Sequence, residues 1–180
     1  IFSILLAVIS SVSTSGISIY SSNFDVSLFF ILMTIIGGSL ISTSSGFKYI
    51  RFYILLKISY QEIYKLVKPI NIFNRNLFHS DSQFDDQDTK IAFLVFISFI
   101  FAIFILSSIL TLDTLSFENS FKLSILTLTN TVTSSIYGMD NLMFFDMNSF
   151  TKISLMIFMI FGKIEIIALL FLIKKFIFRE

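Results

Sequence analysis

Between Ile91 and Leu112 the chain carries no charged residue at all. A run of about 20 such residues, rising 1.5 Å per residue as a helix, matches the roughly 30 Å of a bilayer's hydrocarbon core. Two further apolar runs, Val26 to Lys57 and Phe150 to Ile177, are long enough to do the same. The whole chain agrees: 55% of its residues are hydrophobic, 14% are charged, 24 are Phe, and the mean hydropathy is +0.88. These values lie far from those of soluble domains and imply an all-α integral membrane protein. A net charge of +1 without a basic, aromatic-interleaved patch gives no basis for nucleic-acid binding. The absence of Cys removes disulfides, thiolate metal sites and Cys nucleophiles. The chain opens at Ile1 inside an apolar run, with neither a basic segment nor a cleavage site, so it reads as the C-terminal part of a longer protein.

Two other apolar runs, Ile1 to Ser10 and Phe117 to Thr129, reach only about half way across such a core. Apolar helices of that length in a membrane protein are re-entrant or interfacial. Each leads into a hydroxyl-rich stretch, "SVSTSGISIY" or "TVTSSIYGMD". At an offset of 120 residues, Ser11 to Ser15 face Thr131 to Ser135, which suggests an internal repeat of short helix, polar loop and membrane helix. Lys48, Arg51, Lys57, Lys65, Lys68, Arg75 and Lys90 lie between the first two spans, and Lys174, Lys175 and Arg179 follow the last. Both regions are therefore assigned to the cytoplasm, with the C-terminus inside. Asp25, Asp113, Glu118, Asp140 and Asp146 lie near the outward-facing loops, either as a cation-favouring mouth or as ordinary solvated charges.

Irregular backbone at membrane depth is tolerated only where it is buried in protein or lines a water-filled path. The negative end of a short helix, together with loop carbonyls and hydroxyls, can replace the water shell of a cation. This makes Ser13, Thr14, Ser15 and Gly16 in one loop, and Thr133, Ser134, Ser135 and Ile136 in the other, candidate ion-filter residues. A second interruption, "IGGSLISTSSGFKYIR", gathers Gly37, Gly38, Ser39, Ser42, Thr43, Ser44, Ser45 and Gly46 inside an apolar run. It is either a flexible insertion, whose hydroxyls satisfy the freed backbone, or a glycine-kinked helix packed closely on neighbours. A phosphate loop does not fit, since Phe47 separates Gly46 from Lys48 and Tyr49 takes the place of the hydroxyl. Lys163 lies within the last apolar run, where a charge faces either a cavity or a partner. His79 among Asp81, Asp85, Asp86 and Asp88 reads as a solvated loop rather than a metal site, and Tyr60 to Val67 as a short surface helix. A membrane enzyme would need convergent acid, base or nucleophile groups within the bilayer, and only Lys163 and Glu165 are charged there.

The run "GGSLISTSSGFKYIRFYILLK", the upstream "STSG", "LVKP", "LTN" and "FGKIEI" together resemble the C-terminal half of the TrkH/KtrB family of potassium uptake proteins. The resemblance implies helix, re-entrant pore-loop, helix repeats of the potassium-channel-like kind. Residues 1–58 would be a third repeat lacking its first helix, 59–90 a cytoplasmic linker and 91–180 a fourth repeat. It further implies an intramembrane gating loop at 37–46, a pore-facing positive charge at Lys163, potassium as the transported substrate, and no covalently bound cofactor. A multi-pass protein of the inner (plasma) membrane is implied, a homodimer in full-length form, served by a cytosolic nucleotide-binding subunit of TrkA or KtrA type. Two departures keep alternatives open. Ile41 and Ser45 replace usual glycines, and the fourth loop has Ile136 where the offset sets Gly16 in the third. A sodium-permeable protein, or a degenerate non-conducting accessory paralogue, therefore stands beside the potassium reading.

Overall fold

The structure is a computed structural model that describes residues 2–16, 27–38, 45–67, 86–113, 115–131 and 147–163. Within these the chain forms six α-helices: α1 (Phe2–Ser13), α2 (Ser27–Ile36), α3 (Tyr49–Val67), α4 (Asp86–Thr111), α5 (Phe117–Leu128) and α6 (Ser149–Lys163). There is no strand among the described residues. The all-α expectation from the apolar runs is met.

α4 sets the frame. Asp86 and Asp88 in its first turn complement the positive end of the helix. Ala92, Val95, Phe99, Ala102, Ile103, Leu106, Ser107 and Leu110 then recur at spacings of three and four on a buried face. The other face shows Phe93, Leu94, Phe96, Ile97, Phe101, Phe104 and Ile105 to the surroundings. A helix apolar on both its packed and its exposed side suits hydrocarbon, not water. Among the described residues it is the one helix whose length and composition suffice to cross a membrane.

α5 packs against α4, α6 and α2, and α1 against α2. From Leu123 to Thr129 every residue of α5 and its cap is buried, so the helix is enclosed on all sides in its second half. Three hydroxyls in this half avoid the cost of desolvation by bonding back along the helix, Ser124 Oγ to Phe121 O at 2.8 Å, Thr127 Oγ1 to Leu123 O at 2.6 Å and Thr129 Oγ1 to Ile125 O at 3.0 Å, whereas the buried Ser120 hydroxyl has no hydrogen-bond partner among the described residues. Phe117, Glu118 and Asn119 at the start of α5 are exposed, with Glu118 accepting from Lys122 Nζ at 2.6 Å one turn on. One core joins Ala7, Phe30, Ile31, Phe99, Leu106, Leu126, Leu155 and Phe158 across five helices.

Contact between α5 and α6 depends on Gly162. A Cβ at that position would lie 1.9 Å from the carbonyl oxygen of Leu128 and 2.7 Å from its carbon. Only glycine lets the backbone of α6 approach the end of α5 this closely. The opposite end of α6 is held by Asp113, in the turn after α4. Asn148 donates its backbone N–H to Asp113 Oδ2 at 3.0 Å and its side-chain amide to Oδ1. Hydrogen bonds from Thr151 and Asn148, with nearby Lys152, hold the Asp113 carboxyl below its ordinary value of 3.8. These contacts make Asp113 an anchor for the start of α6.

One element boundary differs from expectation. α3 runs unbroken through Val67, so Tyr60 to Val67 is the end of that helix and not a separate one; no glycine or proline interrupts it before Pro69. The break expected within the apolar run Val26 to Lys57 falls between α2, which ends at Ile36, and α3, which begins at Tyr49.

Substituting Gly162→Ala in the full-length protein should lower its thermal stability in detergent by roughly 3 kcal/mol, as expected for overpacking against a backbone that cannot yield. Since the carboxyl of Asp113 is depressed when folded, the anchorage it gives α6 is present above about pH 4 and is lost as pH falls through its folded value. Thermal melts of wild type should therefore decline below pH 4 more steeply than those of Asp113→Asn, which lacks that titration.

Candidate functional site

The two short helices end in the same way. At the end of α1, Ser15 N–H bonds to Ser10 O at 3.1 Å and Thr14 N–H to Ser11 O at 3.3 Å. At the end of α5, Thr131 N–H bonds to Leu126 O at 2.9 Å and Asn130 N–H to Thr127 O at 3.1 Å. This pair of bonds is the Schellman arrangement, and it requires a left-handed residue just past the helix. Thr14 (φ 52) and Asn130 (φ 56) fill that position. Asn tolerates it, whereas Thr, with its branched Cβ, is strained there.

Asn130 lies 116 residues after Thr14. The geometric repeat therefore has an offset of 116 rather than 120. The sequence comparison lined up Ser and Thr by composition, while the match that folding creates is set by the helix caps. α1 also continues to Ser13, past the expected loop start. Ser13 is thus the last helical residue, with its hydroxyl bonded to Ser10 O at 3.3 Å and Ser15 Oγ at 3.2 Å. Ser15 is exposed and Gly16 buried with φ 68. Thr133, Ser134, Ser135 and Ile136 lie outside the described residues.

The interruption after α2 is a pinched loop. Gly37 N–H still bonds to Met33 O, as in a helix, at 3.1 Å. The carbonyl of Ile35, which the N–H of residue 39 would occupy in a continuous helix, instead receives Phe47 N–H at 2.9 Å. Tyr49 N–H bonds to Gly38 O at 3.1 Å. The chain thus leaves α2 after Ile36, and helix resumes only at Tyr49, behind a left-handed Lys48 (φ 68). Gly37 (φ 63) and Gly46 (φ 96) close the neck, where a Cβ on Gly37 would sit 2.7 Å from Ser45 O and one on Gly46 2.8 Å from Thr34 O. Phe47, 2% exposed, seals the neck against α4 with its ring centroid 5.5 Å from that of Phe96. Of the expected loop residues, Gly37, Gly38, Ser45 and Gly46 form this neck; Ser39, Ser42, Thr43 and Ser44 lie outside the described residues.

Buried Ser45 brings the three segments together. Its backbone N–H donates to Thr14 Oγ1 at 3.1 Å. Its hydroxyl accepts from Asn130 Nδ2 at 2.9 Å. The second amide proton of Asn130 goes to Met159 O of α6 at 3.1 Å. The C-terminal ends of α1 and α5, each carrying a partial negative charge of about half an electron, therefore converge on the neck of the loop. Lys163, the last described residue of α6, follows Gly162 directly and its side chain is exposed. Among the described residues no cluster of His, Cys, Asp or Glu could hold a metal.

Asn130, Phe47 and Gly162 are the site residues not singled out from sequence. "LTN" carried a signal, since Asn after a helix is a frequent left-handed cap. The role of Gly162 depends on a contact between two helices, which no local pattern records.

No protein-family model matches the chain, and no curated protein does. Among solved structures, the crystal structure of the potassium transporter TrkH from Vibrio parahaemolyticus is similar over 94% of this chain, with a TM-score of 0.82 and 22% sequence identity. The chain spans 36% of that protein's length. Over nearly all of its own length, this chain has the all-α fold of a segment of TrkH.

Proposed function

We propose that this chain is part of a membrane protein that moves potassium ions through a filter built by loops at the ends of short helices. The observation that carries this reading is the convergence of two buried helix C-termini, at Thr14 and Asn130, on one point. Two negative helix ends brought together repel unless a cation lies nearby, and helix ends and carbonyls are how membrane proteins replace an ion's water shell. Similarity of fold to a potassium transporter supports the same reading. In it, Thr14, Ser15 and Gly16 supply filter oxygens from one loop, and the residues after Asn130, including Thr133, Ser134, Ser135 and Ile136, supply them from the other. The loop from Gly37 to Gly46 gates the path beneath, and Lys163 places a positive charge beside it. The full-length protein would sit in the plasma (inner) membrane with its C-terminus inside, as a homodimer with a nucleotide-binding cytosolic subunit of TrkA or KtrA type.

A sodium-permeable or non-conducting variant is the second reading, and one observation favours it. At the offset of 116 that the helix caps define, Val132 takes the place of Gly16. A β-branched residue does not readily adopt the φ of 68 that Gly16 has. Rubidium and sodium uptake by cells that lack other potassium uptake and express the full-length protein decides between these readings. Selective rubidium uptake supports the first, and uptake of neither ion overturns it.

Lys163→Gln should raise rubidium uptake per inserted protein, because a fixed positive charge beside a single-file cation path adds to the barrier. Its stability in detergent should be unchanged, since the side chain is exposed. Normal stability with unchanged or lower uptake refutes the barrier role.

Gly37→Ala acts differently from what helix propensity alone suggests. An alanine there meets Ser45 O at 2.7 Å in a left-handed conformation, so it forces the neck open instead of extending the helix, at about 1–3 kcal/mol. Maximal uptake should change by at least several-fold with the rubidium-to-sodium preference retained; an unaltered rate in a folded variant would assign the glycine to packing alone.

A further inference from the structure

We propose that Ser45 is a latch that makes the neck of the 37–46 loop and the ends of both short helices one mechanical unit. This inference rests on the transport reading for its consequence, though not for its geometry. The neck is fastened in two directions through one residue. The Ser45 backbone N–H is bonded to the Thr14 hydroxyl at 3.1 Å, and the Ser45 hydroxyl to the Asn130 amide at 2.9 Å. Ser45 is 4% exposed, so neither bond has water as a ready substitute. The amide of Asn130 extends the link to Met159 O on α6 at 3.1 Å. Each partner is held by a constraint of its own. Thr14 and Asn130 sit in left-handed caps that fix their side chains at the helix ends, and Gly37 and Gly46 hold the carbonyl side of Ser45 against the neck. A glycine in place of Ser45 would keep the bond to Thr14 and lose the bond to Asn130. The hydroxyl alone therefore ties the loop to the second short helix.

Ser45 acts here as a positioning residue: it holds the neck in register with the two helix ends at Thr14 and Asn130. Displacement of the neck must then either break the Asn130 bond or carry the end of α5 along with it. Releasing the hydroxyl uncouples the neck at Ser45 from the end of α5, and on the transport reading this raises the maximal rate.

The test uses Ser45→Ala and, separately, Asn130→Gly, which keeps the left-handed cap and removes the amide. Both are made in the full-length protein and examined in two ways. Hydrogen exchange in detergent should show about five-fold faster exchange at Ser45–Phe47 and at Asn130–Thr131 in Ser45→Ala, the factor carried by one buried hydrogen bond of about 1 kcal/mol. Acceleration confined to 45–47 overturns the latch. Rubidium uptake should show a maximal rate about five-fold higher with an unchanged half-saturating concentration, and the double variant should match Asn130→Gly alone. A lowered melting temperature with an unchanged maximal rate per inserted protein reduces Ser45 to a packing role and overturns the proposal. If wild type carries neither rubidium nor sodium, the transport reading fails on its own. The exchange result then decides whether the latch exists: coupled acceleration upholds it, and its absence overturns it.

Discussion

The hydrogen bond from Phe47 N–H to Ile35 O, which closes the segment between α2 and α3, is the interaction on which the rest of the arrangement depends. In apolar surroundings an unpaired backbone group costs several kcal/mol, so a helix cannot simply stop part-way. Here the gap is closed by giving the carbonyl a donor from further along the chain. That requirement brings Gly37 and Gly46 into contact, since any side chain at either would meet a backbone oxygen. It also presents Ser45 to the interior, where both of its polar groups are then used by the ends of α1 and α5.

The same constraint explains the helix ends. Short helices that stop inside a protein expose carbonyls, and the left-handed caps at Thr14 and Asn130 satisfy two of them in each case. The strain of a left-handed Thr14 is offset in part by the use of its hydroxyl as an acceptor for Ser45 N–H. Backbone conformation and side-chain chemistry are thus coupled at one residue, in the manner expected where strain is stored at functional sites. Around these ends the packing is close: α5 is enclosed in its second half, and Gly162 removes the last side chain that would separate α6 from it. Hydroxyls that would otherwise be costly bond back to their own helices, which lets Ser and Thr replace aliphatic residues at tight contacts.

Most of the architecture was legible in the chain. Run length separated a helix long enough to span, α4, from short helices such as α1 and α5, because the thickness of a bilayer is a ruler that a spanning sequence must match. Density of glycine and hydroxyl in an apolar setting located the interruption after α2. Composition was a poor guide to register, however. Matching Ser and Thr in the two polar stretches gave an offset of 120, whereas the caps give 116, because a cap is a conformational position that Thr14 and Asn130 fill with unlike side chains.

The sequence by itself determined that this chain is all-α and suited to apolar surroundings, with two short helices leading into polar stretches, and that a helix breaks after Ile36. Those features follow from hydrophobic length and from local backbone preference, which a chain carries wherever it folds. Only the tertiary structure decided that the break is a pinched loop, that Ser45 joins Thr14 to Asn130, that Asp113 secures the start of α6 and that Gly162 admits α6 to the end of α5. Each of these is a contact between segments distant along the chain, formed by backbone groups seeking partners where water is absent, and such a contact leaves no period or motif in the residues that make it.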